Sequence, residues 1–598
     1  MTPAATLNEL FLAGCARGRR EAILYPEGEA FRPMSHAEYF EAVRTLAFGL
    51  RALGMEPGAK VAILAENSWR WTATDYAVLC SGGVTVPIYA TYPPDAVCDL
   101  LRRSHAWAIV ASTASQLEKV IACRAQGNLP ELRHLVLMDQ EDSRAAAWEA
   151  LRERGRAFAR EHGDDFEAAA RRSRPEDLAT LLYTSGTTGV PKGVMLSHGN
   201  IVSNARACLE VFELGEGDTT LSFLPLSHIL ERMVNYAFFY AGCTIAYGRS
   251  METIAQDLRL VRPTIFTAVP RLYEKTFAKI QEAAKGSPFK QAILRWAEAT
   301  AKRASAWFVE GRPLPLLFRP RYALAKALVF RKIRAGLGGR LRFCVAGGAP
   351  LSLRLAEFFI GAGVNIFEGY GLTETSPVLA VNCARGRRIG SVGPVLPGVT
   401  LKIAPDGEIL AKGPGVFQGY FEDPQATAEA FDADGFFKTG DIGRLDPDGF
   451  LFLTDRKKDI IVTAGGKNIA PQPIENRLKT LPGIQHAVVI GDRRPYPVVL
   501  LVPDFAWLER WAAGRGLGAP GAAGWTEHPE VRAHFAALVE EAAAPFAPYE
   551  RPKKFALLPR DLSIEAGHLT PTLKVRRGTV ERHFAREIQA LYGPEEPL

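Results

Sequence analysis

Short apolar runs separated by helix-length segments, and a change near residue 385 to brief strands with Pro/Gly turns, mark this chain of 598 residues as α/β. The part before residue 385 predicts layered, largely parallel sheets, residues 385–455 a β-rich subdomain, and the remainder a return to mixed α/β. Ser35 with Glu38 three residues on forms a capping box, and Phe40, Val43, Leu46, Leu50 and Leu53 recur at helical spacing up to a stop at Gly54. Lys60–Glu66 is an apolar run bounded by Pro57-Gly58 and Asn67-Ser68, which predicts a buried strand. Similar runs stand at Ala108–Ala111, Leu135–Met138, Thr264–Val269 and Leu341–Ala346. Beyond residue 385, strands are predicted over Thr400–Ile403 and Glu408–Lys412. A hairpin follows in which Asp446-Pro447-Asp448-Gly449 joins Ile442–Leu445 to Phe450–Thr454. The Gly/Ala-rich stretch 512–526 predicts a surface loop.

With 47% hydrophobic and 23% charged residues the chain falls among globular proteins, which excludes disordered and collagen-like classes. The eight cysteines include no CxxC pair and no zinc-ligand spacing, so a reduced chain is expected. The first twenty residues lack the order of a signal peptide, their basic cluster Arg17, Arg19 and Arg20 following the apolar part. The uncharged run Met233–Gly248 falls short of the roughly 20 apolar residues that span a bilayer. A cytoplasmic location without a membrane-crossing helix is expected.

Net charge is +7, but residues 302–342 carry eleven Lys+Arg against one acid, Glu310, so this stretch alone holds +10 and the rest −3. The basic balance is therefore local and gives no argument for nucleic-acid binding. Trp307, Phe308, Phe318, Tyr322 and Phe330 interleave with these cations. Two readings follow, a solvated basic face or peripheral contact with an anionic membrane.

The strongest local signal is Tyr183–Val194, YTSGTTGVPKGV, after the apolar Leu178–Leu182. Its three glycines and four small hydroxyl residues leave successive backbone N–H groups open, which is how a loop cradles phosphate oxygens. Lys192 adds a point charge. It follows Pro191 and precedes Gly193, unlike the lysine of a Walker loop, so a phosphate loop of another class is indicated and an ADP-releasing motor is disfavoured. Standing alone, the segment reads equally well as a Gly/Ser/Thr surface loop.

It is accompanied, in order along the chain, by Pro225-Leu226-Ser227-His228, Gly347-Gly348-Ala349-Pro350, Tyr370–Thr375, Thr439-Gly440-Asp441, Asp455–Asp459, Gly465-Gly466-Lys467-Asn468 and Pro571-Thr572-Leu573-Lys574. On these blocks, which span most of its length, the chain resembles the adenylate-forming superfamily of acyl-CoA synthetases, luciferases and peptide-synthetase adenylation domains. Asp434–Glu475 is similar to the signature of fatty acyl-CoA synthetases, with Phe436 where tryptophan is usual. Pro225–Met233 and Val269–Lys275 look like the long-chain and bubblegum-type enzymes.

The resemblance implies a large N-terminal domain over 1–455 and a small mobile α+β domain over 456–598. It implies activation of a long-chain fatty acid to acyl-CoA through an acyl-adenylate, with ATP, Mg²⁺ and coenzyme A as the small molecules. By family matching, Thr184, Ser185, Gly186, Thr187, Thr188, Gly189 and Lys192 border the phosphates. Gly347, Ala349, Pro350, Glu368, Gly369, Tyr370 and Gly371 border the nucleotide. Tyr370 offers a ring to adenine, Thr373 a hydroxyl near the α-phosphate, and Asp441 two oxygens for the ribose hydroxyls. Glu374, with Thr184 opposite, suits a Mg²⁺ ion shared with phosphates. Arg456 suits ribose or phosphate, and Lys458 stands at the hinge. Lys574 is placed where a cationic arm meets charge building on the carboxylate and α-phosphate. Gly465 and Gly466 would let the pantetheine arm pass close to the backbone.

Two assignments stay double. His228 either gates the acyl pocket or is a hydrogen-bonded structural residue. The stretch 233–248, with Phe238, Phe239 and Tyr240, either lines an acyl tunnel or packs as an ordinary helix. Two other functions also stand beside the ligase, a fatty acyl-AMP ligase that loads a carrier protein and a non-catalytic binding relative. Intact Glu374, Asp441, Arg456 and Lys574 argue against the second. Chain-length preference and the choice between monomer and homodimer are not written in the sequence.

Overall fold

The computed structural model describes residues 4–125, 127, 129–185, 191–517, 521–570 and 574–593. Two eight-stranded sheets dominate the part before residue 385. In one, Ile23–Glu27, Thr244–Tyr247, Thr219–Ser222, Ile265–Ala268, Phe343–Ala346 and Ile366–Gly371 lie parallel, with antiparallel strands Ala30–Met34 and Val378–Val381 at the edges. In the other, Lys60–Leu64, Val84–Ile88, Ala108–Ala111, His134–Leu137 and Leu178–Ser185 are parallel, and Pro191–Ser197 turns back antiparallel. These parallel strands are buried end to end or nearly so, which is why they read as unbroken apolar runs rather than alternating ones.

Helices fill the space between and around the sheets. His36–Ala52 starts at the capping box: Glu38 N–H donates to Ser35 Oγ at 3.2 Å and Ser35 N–H to Glu38 Oε2 at 2.7 Å. It crosses Trp148–His162 so closely that a Cβ on Gly155 would stand 1.9 Å from the Thr45 carbonyl oxygen, so only glycine fits there.

The β-rich expectation holds. Thr400–Ile403, Glu408–Lys412, Phe437–Leu445 and Leu451–Arg456 form a four-stranded antiparallel sheet. After it, Ile484–Ile490, Val498–Pro503 and Phe555–Leu557 make a three-stranded sheet with apolar side chains on both faces. Val489, Val499 and Leu501 pack against Leu508, Val531 and Phe535, while the alternate residues Val488, Val498 and Leu500 pack against Val580, Phe584 and Ile588.

Several expectations are corrected. The 512–526 stretch is not a loop throughout: Phe505–Ala513 and Gly521–Glu527 are helical, and Trp525 is 3% exposed in the core. Cys98 and Cys123 are joined in a disulfide with Cα atoms 5.7 Å apart, against the reduced state expected for all eight. The 233–248 stretch is the end of helix Ile229–Ala241 and strand Thr244–Tyr247, with Phe239 packed against Phe11, Tyr39 and Tyr76. A cavity of about 10 Å³ against it, lined by Tyr39, Tyr76, Arg232, Tyr236 and Tyr247, has room for roughly one water molecule. Among the described residues no helix is long and apolar enough to cross a membrane.

Candidate active site

The phosphate-type motif sits on a hairpin. Tyr183 lies opposite Gly193, Thr184 opposite Lys192 and Ser185 opposite Pro191. Leu181, Leu182, Val194 and Leu196 are buried and pin both strands, so the turn is held at the end of the sheet. Gly186, Thr187, Thr188 and Gly189 lie outside the described residues. Gly419–Tyr420 pairs with the hairpin's outer strand, Tyr420 opposite Val194. This puts the Tyr420 ring 4.9 Å beneath the Lys192 ammonium, a cation–π contact. Its hydroxyl donates to Glu374 Oε1 at 3.0 Å. Tyr420 lies outside every sequence block and only strand pairing brings it in.

Glu374 stands on a single helical turn, Thr373–Thr375, just past the strand Ile366–Gly371. The chain doubles back there, and a Cβ on Gly371 would come 1.7 Å from the Pro377 carbonyl oxygen, which explains the glycine. Thr375 Oγ1 closes the turn, accepting from Leu372 N–H at 3.0 Å and donating to Pro377 O at 2.5 Å. Burial raises the Glu374 carboxyl above its ordinary range, opposed by a backbone hydrogen bond, the Tyr420 hydrogen bond and the Arg456 charge.

A second cluster lies within the field of the first. Tyr370, 8% exposed, donates to Asp441 Oδ2 at 2.7 Å. Asp441 is on Phe437–Leu445, directly across from Arg456 on Leu451–Arg456, whose Nε is 3.6 Å from Asp441 Oδ1. Burial pushes Asp441 up, while Arg456, the Tyr370 hydrogen bond and Lys574 pull it down. Lys574 comes from the far end of the chain, its N–H donating to Thr570 Oγ1 at 3.0 Å. Burial first, then Arg456, lowers its ammonium to about 8, with Asp441 opposing. His228 joins them: it caps helix Ile229–Ala241, with Nδ1 accepting from Leu230 N–H at 3.1 Å, and burial together with the Lys574 charge lowers it to about 4. The structural role of His228 is thus present, and the ring also lies within the field of the Lys574 charge.

The remaining sites divide. Gly347, Ala349 and Pro350 follow Phe343–Ala346, and Glu368, on the parallel neighbour Ile366–Gly371, lies opposite Ala346 with Gly369 next to it, so these residues gather at the carboxyl end of Phe343–Ala346, the end at which open α/β sheets bind ligands. Burial raises Glu368 to about 8 against a hydrogen bond from the Leu351 backbone. Gly465 and Gly466 are not brought to the cluster. They lie on the exposed turn between Ile461–Val462 and Asn468–Ile469, Gly466 at φ +72°. Beside Lys458, Lys457 was missed: its ammonium pairs with Asp406 at 2.6 Å and Glu408 at 2.7 Å, and Glu408 also accepts from Gly440 N–H at 2.9 Å. It ties the start of the C-terminal segment to the β-rich sheet.

The donor set suits a nucleotide. Asp441 presents a carboxylate held by an aromatic hydroxyl and a guanidinium and feels the Lys574 charge, and Lys192 supplies a second cation over the Tyr420 ring. Among the described residues no three His, Cys, Asp or Glu gather as a metal cage. A Mg²⁺ ion here would rest on Glu374 and phosphate oxygens, which matches its habit of binding through one or two carboxylates and substrate.

A family model described as AMP-binding enzyme matches residues 14–421, and one described as AMP-binding enzyme C-terminal domain matches 458–596. The chain belongs to the AMP-binding enzyme family. It is 40% identical over 572 residues to the long-chain-fatty-acid–CoA ligase FadD15 of Mycobacterium bovis, covering 94% of this chain and 92% of that one. It is 32% identical over 635 residues to the long-chain-fatty-acid–CoA ligase ACSBG2 of Xenopus laevis, covering 99% and 84%. Among solved structures this AMP-binding enzyme resembles the adenylation domain of a carboxylate reductase from Mycobacterium chelonae, with TM-score 0.75, 23% identity and coverage of 98% and 91%. ATP-bound MatB from Rhodopseudomonas palustris gives TM-score 0.71 and 23% identity, covering 98% and 100%. The two structures bear out the fold.

Proposed function

We propose that this chain is an AMP-forming ligase that joins long-chain fatty acids to coenzyme A, with ATP and Mg²⁺. The observation that carries the reading is Lys574, from the end of the chain, standing beside Asp441 and Arg456 of the β-rich sheet. In the first step a carboxylate oxygen of the acid attacks the α-phosphorus of ATP and the bond to pyrophosphate breaks. Asp441 holds the ribose, Lys192 the outer phosphates, and Lys574 with Thr373 the α-phosphate where charge accumulates. Bound Mg²⁺ supplies further charge neutralisation at Glu374, with Thr184 opposite. In the second step the coenzyme A sulfur attacks the acyl carbon, AMP leaves with the bonding electrons, and the thiol proton passes to solvent.

The division into 1–455 and 456–598 belongs to this reading, with Lys458 at the hinge. Rotation there would withdraw Lys574 and bring Gly465 and Gly466 to the acyl group. The exposed position of these glycines supports their use in the other half-reaction. We also place the enzyme in the cytoplasm, at the inner face of a membrane.

The test is release of AMP and pyrophosphate from Mg·ATP with acids graded from acetate to eicosanoate, each with and without coenzyme A. Release that depends on coenzyme A and peaks with long acids is expected. Adenylate formation without thioester would move the acceptor to a carrier protein, and no turnover with any acid would overturn the reading.

A further inference from the structure

Lys574 lies beside a like charge. Burial and the Arg456 guanidinium act against its ammonium, Asp441 opposes them, and the Lys574 charge in turn reaches His228 on the helix Ile229–Ala241. A long flexible cation so placed gains by swinging out to water, so the backbone that carries it has to be fixed.

The nearest contacts are local. Leu569 bridges Val575, Thr570 N–H donates to the Lys574 carbonyl oxygen and Arg576 N–H to that of His568, both at 2.8 Å. The buried His568 ring meets His583, Nε2 and Nδ1 standing 3.1 Å apart, which ties this segment to the helix Arg577–His583. Segment and helix thus form one unit. Leu569, Val580 and Phe584 set the unit against the sheet of Ile484–Ile490 by apolar contact, which is non-directional.

Direction comes from Arg577, three residues after Lys574. Its Nη1 donates to Glu475 Oε1 at 2.7 Å and to the Val489 carbonyl oxygen. Val489 N–H donates to the same Glu475 oxygen at 2.8 Å. Glu475 stands on the helix Pro471–Leu478, and the two side chains are only 11% and 15% exposed. Guanidinium, carboxylate and the Val489 backbone close a ring that joins the Lys574 unit to a helix and a strand. Burial opposes the Arg577 charge, and Glu475, followed by Asp459 and Asp455, outweighs it.

We propose that Glu475 and Arg577 are positioning residues for adenylation, their pair anchoring the backbone just beyond Lys574 so that its ammonium stays beside Asp441 and Arg456. The inference rests on the ligase reading for the place of Lys574 at the reacting atoms. A ring that served packing alone would bear on both half-reactions alike.

The test separates them in the full chain. Adenylation is followed as pyrophosphate release from Mg·ATP with octanoate, and the second step as thioester formation from supplied octanoyl-adenylate and coenzyme A. Arg577→Met should lower the adenylation rate by about 100-fold, the scale on which a displacement of about 1 Å acts. The KM for ATP and the second step should stay near wild type. The alkaline limb of adenylation, at about 8 in the wild type, should move upward, because burial and Arg456 both lower the ammonium and both weaken as it drifts. Arg577→Lys, which keeps the charge without the planar fork, should recover part of the rate. Glu475→Gln keeps an oxygen for Val489 N–H and removes only the charge. It should show the same split to a smaller degree, and it carries the test should Arg577→Met fail to fold. An unchanged adenylation rate, equal loss in both half-reactions, or an alkaline limb that stays in place would overturn the proposal. Absence of acid-dependent pyrophosphate release in the wild type would instead overturn the ligase reading, and the positioning role with it.

Discussion

The Tyr370 hydroxyl donates to Asp441 Oδ2 across 2.7 Å, fastening a strand of the large parallel sheet to one of the β-rich sheet. The bond fixes which carboxylate oxygen faces Arg456 and which lone pairs stay open to a ribose. Tyr370→Phe keeps the ring and removes that bond. A hydrogen bond to a charged group contributes about 1.5–3 kcal/mol, so the KM for ATP is expected to rise roughly tenfold or more with kcat nearly unchanged. Steady-state AMP release over a range of ATP concentrations checks this, and an unchanged KM would reduce Tyr370 to a packing ring.

Tyr420 joins Lys192 to Glu374, and its hydroxyl is one of the groups that hold the Glu374 carboxyl down against burial. Removing it with Tyr420→Phe leaves burial less opposed and raises Glu374 further. A carboxyl with a raised value is protonated over a wider range of low pH and then offers no anionic ligand. The Mg²⁺ concentration for half-maximal AMP release should therefore rise several-fold, most at the acidic end of the profile. A shift that is the same at acidic and alkaline pH would contradict this account.

Lys574 titrates at about 8. Below that value it carries the charge that adenylation needs, and above it the charge is lost, so the adenylation rate should fall as pH rises through about 8. Thioester formation from supplied acyl-adenylate should lack this limb. Lys574→Ala is expected to lose adenylation by several orders of magnitude and keep the second half-reaction. Lys574→Arg, whose guanidinium stays charged, should lose the alkaline limb at a lower overall rate. Loss of both half-reactions in Lys574→Ala would show that the residue holds the fold and not the transition state.

The strands Thr400–Ile403 and Glu408–Lys412 were legible to the residue because Pro and Gly turns bracket them and each is short enough that tertiary packing has little to shift. The parallel strands were legible as apolar runs for the opposite reason, burial on both faces. Helix Gly521–Glu527 was not legible, since glycine and alanine give weak local direction and it is the burial of Trp525 that orders it. Cys98 and Cys123 lie on separate helices, and a spacing of 25 residues carries no sign that they meet. In the site, Tyr370, Asp441, Arg456 and Lys574 were found through motif blocks. Tyr420 and Lys457 were missed because their partners come from strand pairing and a turn contact across the β-rich sheet.

A buried pair beneath the site was equally invisible. Arg232, on the helix that His228 caps, is 1% exposed and reaches Asp75, fully buried on helix Trp69–Cys80. Arg232 Nε donates to Asp75 Oδ2 at 2.9 Å and Nη1 to Thr180 Oγ1 at 2.6 Å, on the strand that leads into the phosphate hairpin. Thr85 and Tyr236 also donate to Asp75. The pair thus joins the His228 helix to the strand that carries Thr184. Charges this deep cost several kcal/mol each to desolvate, and their attraction repays it only while both are present. Asp75→Asn removes one charge and leaves the guanidinium unpaired, so a loss of about 3–5 kcal/mol is expected. Asp75→Leu with Arg232→Met removes both charges and should lose less than the single change, although the Thr85 and Tyr236 hydroxyls then lose Asp75 as their acceptor. Urea unfolding followed by far-ultraviolet circular dichroism measures both variants. A loss below about 1 kcal/mol for Asp75→Asn, the range of exposed pairs, would mean that water reaches Arg232, and the helix would then be held by its apolar packing alone.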